Sequence, residues 1–237
     1  MPSKSIIVTG ASRGIGFAIL EKFASQGWNI AFCSHHIERV EQAEKKLREQ
    51  FPTIQILAKQ ADVSQKEEVT SFATDCLTQF QKIDILVNNA GQYIPGIISA
   101  ADESDELEEL MKVNLYSAYW IGKKIIPSMI ENRSGHIFNM SSIAGLQAYH
   151  NGGSYAITKF ALQGYTRTLR EELKAKNIRV TGIYPGAVLT DSWAGTDLPT
   201  SRFIDPHDIA ELVYTTHMTN PSTCVEDLII RPQEGDI

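Results

Sequence analysis

Tyr155 and Lys159 stand at i and i+4, a spacing that puts both side chains on one helical face with Cβ atoms about 5–6 Å apart. A phenol titrates near ~10, and one pKa unit is worth about 1.4 kcal/mol. Acid–base work near neutrality therefore asks for roughly 3 pKa units, or about 4 kcal/mol. An ammonium at ~4 Å supplies about 4 kcal/mol at an effective dielectric of ~20. The pair is read as a proton-transfer couple in which Lys159 lowers the pKa of Tyr155. Ser142 lies thirteen positions before the tyrosine. The same spacing also arises on ordinary exposed helices, so the chemistry depends on a cofactor site around it.

Thr9-Gly10-Ala11-Ser12-Arg13-Gly14-Ile15-Gly16 follows an apolar run and opens a helical pattern. A glycine loop there lets the backbone approach a ligand. The helix start behind it offers free N–H groups and a positive dipole end to a pyrophosphate. Gly10, Ser12, Arg13, Gly14, Ile15 and Gly16 are the candidate contacts. An NAD site carries an acid near the end of the second strand for the ribose 2′-hydroxyl. Here that stretch reads Cys33-Ser34-His35-His36, and no carboxylate occurs before Glu38. Arg13, Ser34 and His35 suit a 2′-phosphate instead. NADP(H) is expected as the preferred cofactor, with NAD(H) as the alternative.

These residues need a scaffold. Short β-branched runs over 5–9, 29–33, 54–58, 85–87, 136–140, 179–183 and 227–230 read as strands. Helical patterns over 14–26, 37–50, 66–80, 105–131, 154–176 and 206–217 alternate with them. Such alternation predicts βαβ units and a parallel sheet of about seven strands. The strands are near-continuous apolar runs, as helices on both faces require. No repeat or linker divides the chain, so 1–237 is expected to be one domain. Its one loop-rich stretch, 186–204, is a candidate lid over a substrate.

The 237 residues are 43% hydrophobic and 21% charged, with a net charge of -6. That balance disfavours a general nucleic-acid partner, and no apolar run approaches the length of a membrane span. Met1-Pro2-Ser3-Lys4 leads straight into Ile6-Ile7-Val8 without a signal-like segment. Cys33, Cys76 and Cys224 share no metal-ligand spacing, so no metal is expected. They read as reduced thiols, and a cytoplasmic protein is expected.

In order and spacing, the motifs resemble those of the short-chain dehydrogenase/reductase family. They are Thr9–Gly16, Asp62-Val63, Asn88-Asn89-Ala90-Gly91, Asn114, Ser142, Tyr155 with Lys159, and Pro185-Gly186 with Thr190. The resemblance covers nearly the whole chain and implies an α/β, Rossmann-like, doubly wound sheet in a single NAD(P)-binding domain. It also implies roles. Asp62 and the Val63 N–H hold the adenine. Asn89, Ala90 and Gly91 line the ribose. Pro185, Gly186, Val188 and Thr190 meet the nicotinamide end. Asn114 disturbs its helix and holds a water that links Lys159 to solvent. Ser142 binds the reacting oxygen, Tyr155 passes the proton, and Lys159 holds the ribose. Ser141 is left a structural or cofactor-lining part. Ser64 and Glu67 match a capping box, which would leave Asp62 free.

The implied activity interconverts a carbonyl compound and its alcohol. Tyr93, Ile143, residues 147–153, Tyr184 and the Trp193 loop are expected to meet substrate, with Tyr149 and Trp193 as an apolar wall. No charged anchor for a substrate carboxylate is evident, which favours neutral carbonyls. Arg133 and Lys176 fall where acyl-carrier-protein reductases of the family carry docking residues. The ending Leu228-Ile229-Ile230-Arg231-Pro232 departs from that subgroup. A 3-oxoacyl-acyl-carrier-protein reductase, an NAD-dependent alcohol dehydrogenase and a non-catalytic cofactor sensor are the alternatives. The helices over 105–131 and 154–176 resemble those that pair in family dimers and tetramers, so a homo-oligomer is expected.

Overall fold

A computed structural model describes residues 4–99, 106–193 and 195–237. Seven parallel strands form one sheet in the order β3-β2-β1-β4-β5-β6-β7. They are β1 Ser5–Thr9, β2 Asn29–Ser34, β3 Ile56–Gln60, β4 Ile85–Asn88, β5 Gly135–Met140, β6 Ile178–Pro185 and β7 Asp227–Ile230. The strand order reverses between β1 and β4, the switch point where such sheets open a crevice at their carboxyl ends.

Alternate strand residues face opposite sides, and the core divides accordingly. Ile6, Val8, Ile85 and Val87 pack in one cluster with Leu20 and Phe23 of α1 (Gly14–Ser25) and Ile209 and Val213 of α7 (Pro206–Met218). Val40 and Leu47 of α2 (Ile37–Gln50) join that side. Ile7 and Leu86 pack on the other face with Phe72 of α3 (Lys66–Phe80). Ile121 and Ile125 of α5 (Ser117–Glu131) and Leu169 of α6 (Gly153–Leu173) complete it. This is the doubly wound arrangement expected from the sequence.

The expected boundaries shift where side chains intervene. β3 begins at Ile56 rather than 54. The Asn29 side chain accepts the Gln55 N–H at 2.9 Å, and the ladder starts with Ile30 opposite Ile56. Asp105 of the expected 105–131 helix lies outside the described residues. The remainder is broken into α4 (Glu106–Met111), a π-turn over Lys112–Tyr116, and α5. Asn114 sits inside that turn. A π-bulge of this kind is rare and concentrates at functional sites.

The expected Ser64–Glu67 capping box does not form. Gln65 is the α3 N-cap, and the Asp62 carboxylate instead accepts the Ser64 N–H at 2.9 Å. Glu68 takes the reaching role, accepting the Asp62 N–H at 2.7 Å. Asp62 is thus held by its own turn.

Inside the sheet, Asn88 Nδ2 donates to Asn139 Oδ1 at 2.7 Å, and Asn139 Nδ2 donates to Thr166 Oγ1 at 2.9 Å. This buried chain crosses β4, β5 and α6.

Candidate active site

Four strand ends build the cleft. At the end of β1 the chain turns through Gly10 (φ +64), where a Cβ would lie 2.7 Å from the Ala90 Cα. Only glycine lets the two loops approach so closely. Thr9 Oγ1 accepts the N–H groups of Asn89 and Ala90 at 3.1 Å each, and Asn89 Nδ2 returns to the carbonyls of Thr9 and Gly10. Gly16 packs on Asn89 and Ala11. The motif after β4 is therefore welded to the glycine loop, with Gly91 facing Asn114 Oδ1 and Lys159 Nζ.

The loop fits a phosphate. α1 begins at Gly14 with no side chain capping its first N–H groups, so those donors and the helix dipole remain for an anion. A Cβ on Gly14 would come within 3.3 Å of the Thr190 methyl across the cleft. Ile15 turns inward onto the core. Ser12 Oγ donates to Ser34 Oγ at 2.9 Å, and His35 Nδ1 lies 3.8 Å from the Asp62 carboxylate. Val63 packs on the second core cluster. Arg13 is ion-paired to Asp191, a partner the sequence reading did not name. No spacing signal links residues so far apart.

Beyond β6, Gly186 N–H donates to the Ile230 carbonyl at 2.8 Å, so the ladder with β7 runs one residue past Pro185. Val188 bridges Ile204 and its side chain is buried, leaving its backbone for any ligand. The 186–204 stretch is closed at its base by Leu189 N–H to Ile204 and Ile204 N–H to Ala187.

The reacting end gathers the four residues expected there. Ser142 follows β5 and caps a short turn, accepting the Ala144 N–H at 3.1 Å, and its side chain acts on the Tyr155 phenol, favouring the ionised form. Lys159 is buried and donates to the Met140 carbonyl at 3.0 Å. Ser141 is structural, its N–H donating to Ile183 and its hydroxyl to the Lys159 carbonyl. Asn114 Oδ1 accepts the Gln92 N–H at 2.7 Å, while its Nδ2 donates to the Gln92 carbonyl and to Thr158 Oγ1, both at 2.9 Å. Thr158 in turn donates to the Tyr155 carbonyl at 2.7 Å. Gln92 and Thr158 were not singled out from sequence, although Thr158 lies between the tyrosine and the lysine.

The electrostatics correct one expectation. Tyr155 is pushed up to about 12 by burial, against which the Ser142 hydrogen bond works, and the neighbouring Tyr93 adds to the rise. Lys159 is itself pushed down to about 8 by burial. Its ammonium lies 5.6 Å from the Tyr155 ring centroid and is turned to a carbonyl. Desolvation of the phenol therefore outweighs the cation. A phenol with its pKa raised in this way carries its proton at neutral pH.

Two substrate expectations also change. Tyr184 is completely buried and packs over Gly182, away from the cleft. Trp193 packs edge-on against Phe203, 5.2 Å between centroids, rather than forming a wall with Tyr149. The side chain that acts most on the Tyr149 phenol is Tyr93.

A crevice at a switch point, a glycine loop and a serine–tyrosine–lysine cluster together define a dinucleotide-type oxidoreductase. The family model for short chain dehydrogenases matches residues 4–198, and the chain belongs to that short-chain dehydrogenase/reductase family. It is 32% identical over 232 residues to an uncharacterized oxidoreductase of Staphylococcus saprophyticus, covering 98% of each chain. Among solved structures it is similar to an alcohol dehydrogenase of the archaeon Thermococcus sibiricus complexed with 5-hydroxy-NADP. That match has a TM-score of 0.89 and 28% identity, and covers 98% of this chain and 97% of that one. L-sorbose reductase of Gluconobacter frateurii, complexed with NADPH and L-sorbose, matches with a TM-score of 0.88 and 28% identity, covering 98% and 96%. Among the described residues no helix is long and apolar enough to cross a membrane, and no group of three or more metal-ligating side chains occurs.

Proposed function

We propose that the protein is an NADP(H)-dependent reductase of neutral carbonyl compounds. The observation that carries this reading is the gathering of Tyr155, Ser142 and the buried Lys159 at one end of the cleft, with the Lys159 ammonium 5.6 Å from the Tyr155 ring centroid. A bound nicotinamide supplies the hydride. Tyr155 gives its proton to the carbonyl oxygen, and Ser142 donates a hydrogen bond to the same atom, stabilising the charge that develops there. Lys159, within reach of the loop at Gly91, holds the ribose and favours the phenolate left after transfer. Asn114 orders this wall through Gln92 and Thr158.

The preference for NADP(H) rests on what ends β2. Ser34 and His35 stand where an acid would repel a 2′-phosphate, with Arg13 nearby in the glycine loop. The two solved relatives carry NADPH or an NADP derivative. A homo-oligomer is supported by a groove of Leu115, Tyr116, Tyr119, Trp120, Ala161 and Tyr165 between the π-turn, α5 and α6. Such an aromatic face suits a helix-to-helix contact between copies.

The deciding experiment follows nicotinamide absorbance with NADPH or NADH against aldehydes, ketones, 3-oxoacyl thioesters and sugars. Turnover with NADPH that is abolished in Tyr155→Phe, with NADPH binding retained, is the expected result. Undiminished turnover in that variant refutes the proton-donor role.

A further inference from the structure

Tyr93 follows the strand β4 motif, and Tyr149 lies on the loop before α6. The two residues are 48% and 47% exposed, unlike Tyr184, which is wholly inside. Tyr93 meets the Tyr155 ring edge-on, 5.0 Å between centroids at 87°. Its phenol is the largest side-chain influence on that of Tyr149, which burial and then Tyr93 hold above the usual tyrosine range. The two loops are joined by backbone. Gly96 N–H donates to the Asn151 carbonyl at 3.2 Å, and Gly153 (φ +45) lies so near the Gly96 carbonyl that a Cβ would be 2.5 Å away. The tyrosine pair is thus held in place rather than left to fold over the surface.

Apolar side chains stand exposed beside the pair, although the Glu106 carboxylate lies near Gly96 on the same loop. Ile97 and Ile98, on the Tyr93 loop, are 45% and 70% exposed. The side chains that act on the Tyr149 phenol are the phenols of Tyr93 and Tyr155, not ions. Aromatic faces presented this way accept an offset or edge-on ring partner.

We propose that the Tyr93–Tyr149 pair is the specificity-determining wall of the site, selecting neutral ketones that carry a flat ring beside the carbonyl. The ring lies against the exposed aromatic faces while the carbonyl oxygen reaches Tyr155 and Ser142. Tyr93 has a second part as a positioning residue, fixing the Tyr155 ring by its edge-on contact. This inference rests on the carbonyl-reductase reading above.

The test compares 1-phenylpropane-1,2-dione with butane-2,3-dione, which present the same reacting dicarbonyl with and without a ring. The ratio of their kcat/KM values with NADPH is expected to be about tenfold or more in the unaltered protein, the range an apolar pocket contact supplies. Tyr149→Ala should bring the ratio to within about threefold, whereas Tyr149→Phe, which keeps the ring, should retain it. Tyr93→Leu should lower kcat for both diones and alter the pH profile of kcat, which loss of a mere wall would not do. A ratio at or below unity, a ratio indifferent to Tyr149→Ala, or one lost equally in Tyr149→Phe overturns the proposal. Saturation-transfer NMR of the phenyl dione provides a readout independent of turnover. Binding that Tyr149→Ala abolishes, without any turnover, upholds the wall and sinks the reductase reading. Turnover with a ratio that ignores Tyr149 does the reverse. Neither binding nor turnover sinks both.

Discussion

Asn114 Nδ2 donates to Thr158 Oγ1 at 2.9 Å, tying the π-turn to α6 beside the Tyr155–Lys159 pair. Removing this amide leaves the Gln92 N–H and carbonyl without their side-chain partner, each lost buried bond costing about 1–3 kcal/mol. Asn114→Ala is therefore expected to lower Tm and to cut kcat by about tenfold or more, the scale of a disturbed proton-transfer group. NADPH KM should change little. Kinetics on the folded variant would show the split, and a loss confined to KM would refute the assignment.

Tyr155, held up to about 12, is the acid form throughout the neutral range. Reduction should therefore be nearly flat between about pH 6 and 8, since the proton donor is always loaded. Alcohol oxidation requires the phenolate and should rise by about tenfold for each pH unit over the same range. Initial rates in both directions supply the comparison. An oxidation rate that is level with pH would mean that another group carries the proton.

Arg13 and Asp191 form an exposed pair, which is worth only about 0–1 kcal/mol. A guanidinium bound to a 2′-phosphate makes charge-assisted bonds worth about 1.5–3 kcal/mol. The phosphate should thus draw Arg13 away from its carboxylate. Arg13→Ala is expected to raise KM for NADPH by about tenfold or more and that for NADH by much less. Asp191→Asn should alter the NADPH value by no more than about fivefold. Equal effects of Arg13→Ala on both cofactors would remove the arginine from the 2′-phosphate site.

His136 and His217 give the fold an acid limit. The Thr181 hydroxyl donates to the Val225 carbonyl at 2.6 Å, so its oxygen accepts from His136 Nε2 at 2.9 Å and the bare Nδ1 is left without a partner. Burial, then the Arg179 guanidinium, holds His136 well below its usual pKa. His217 is pushed down to about 4, again by burial first and Arg179 second. Both imidazoles are neutral when folded and take a proton near ~6.5 when unfolded. Their contribution is complete above that pH and declines as pH falls toward 4. His217 alone accounts for about 2 kcal/mol lost by pH 5. Urea midpoints at pH 7.5 and 5 should differ in the unaltered protein, and the difference should shrink in His217→Leu to the part that His136 still contributes. Parallel shifts in both would exclude this residue as the cause.

Much of the scaffold was legible because its strands are continuous apolar runs and its helices repeat Val, Phe and Leu at turns of three and four. The glycine loop, the Asn89–Gly91 stretch, Ser142 and Pro185-Gly186 were legible because they stand at strand ends, and Tyr155 with Lys159 because helical spacing pairs them. What escaped were contacts between remote segments. Nothing near Arg13 marks Asp191, 178 positions away. Tyr184 was misplaced because both faces of β6 are covered, so its strand lacks the polar alternation that separates inward from outward. The π-turn follows from bonds that Asn114 makes to Gln92 and Thr158, which no helical periodicity encodes. Ser64 matched a cap by type, but Asp62 and Glu68 satisfied the local N–H groups first.

The buried chain from Asn88 through Asn139 to Thr166 joins residues that lie directly opposite in adjoining strands. Where neighbouring strands offer mainly apolar side chains, as β1 and β4 do, apolar packing alone tolerates sliding. A shift of one residue would strand these amides in hydrocarbon at about 1–3 kcal/mol each. Two asparagines thus act as an alignment key during assembly, and they keep the ends of β4 and β5 level, so that Asn89 and Ser142 arrive at one cleft.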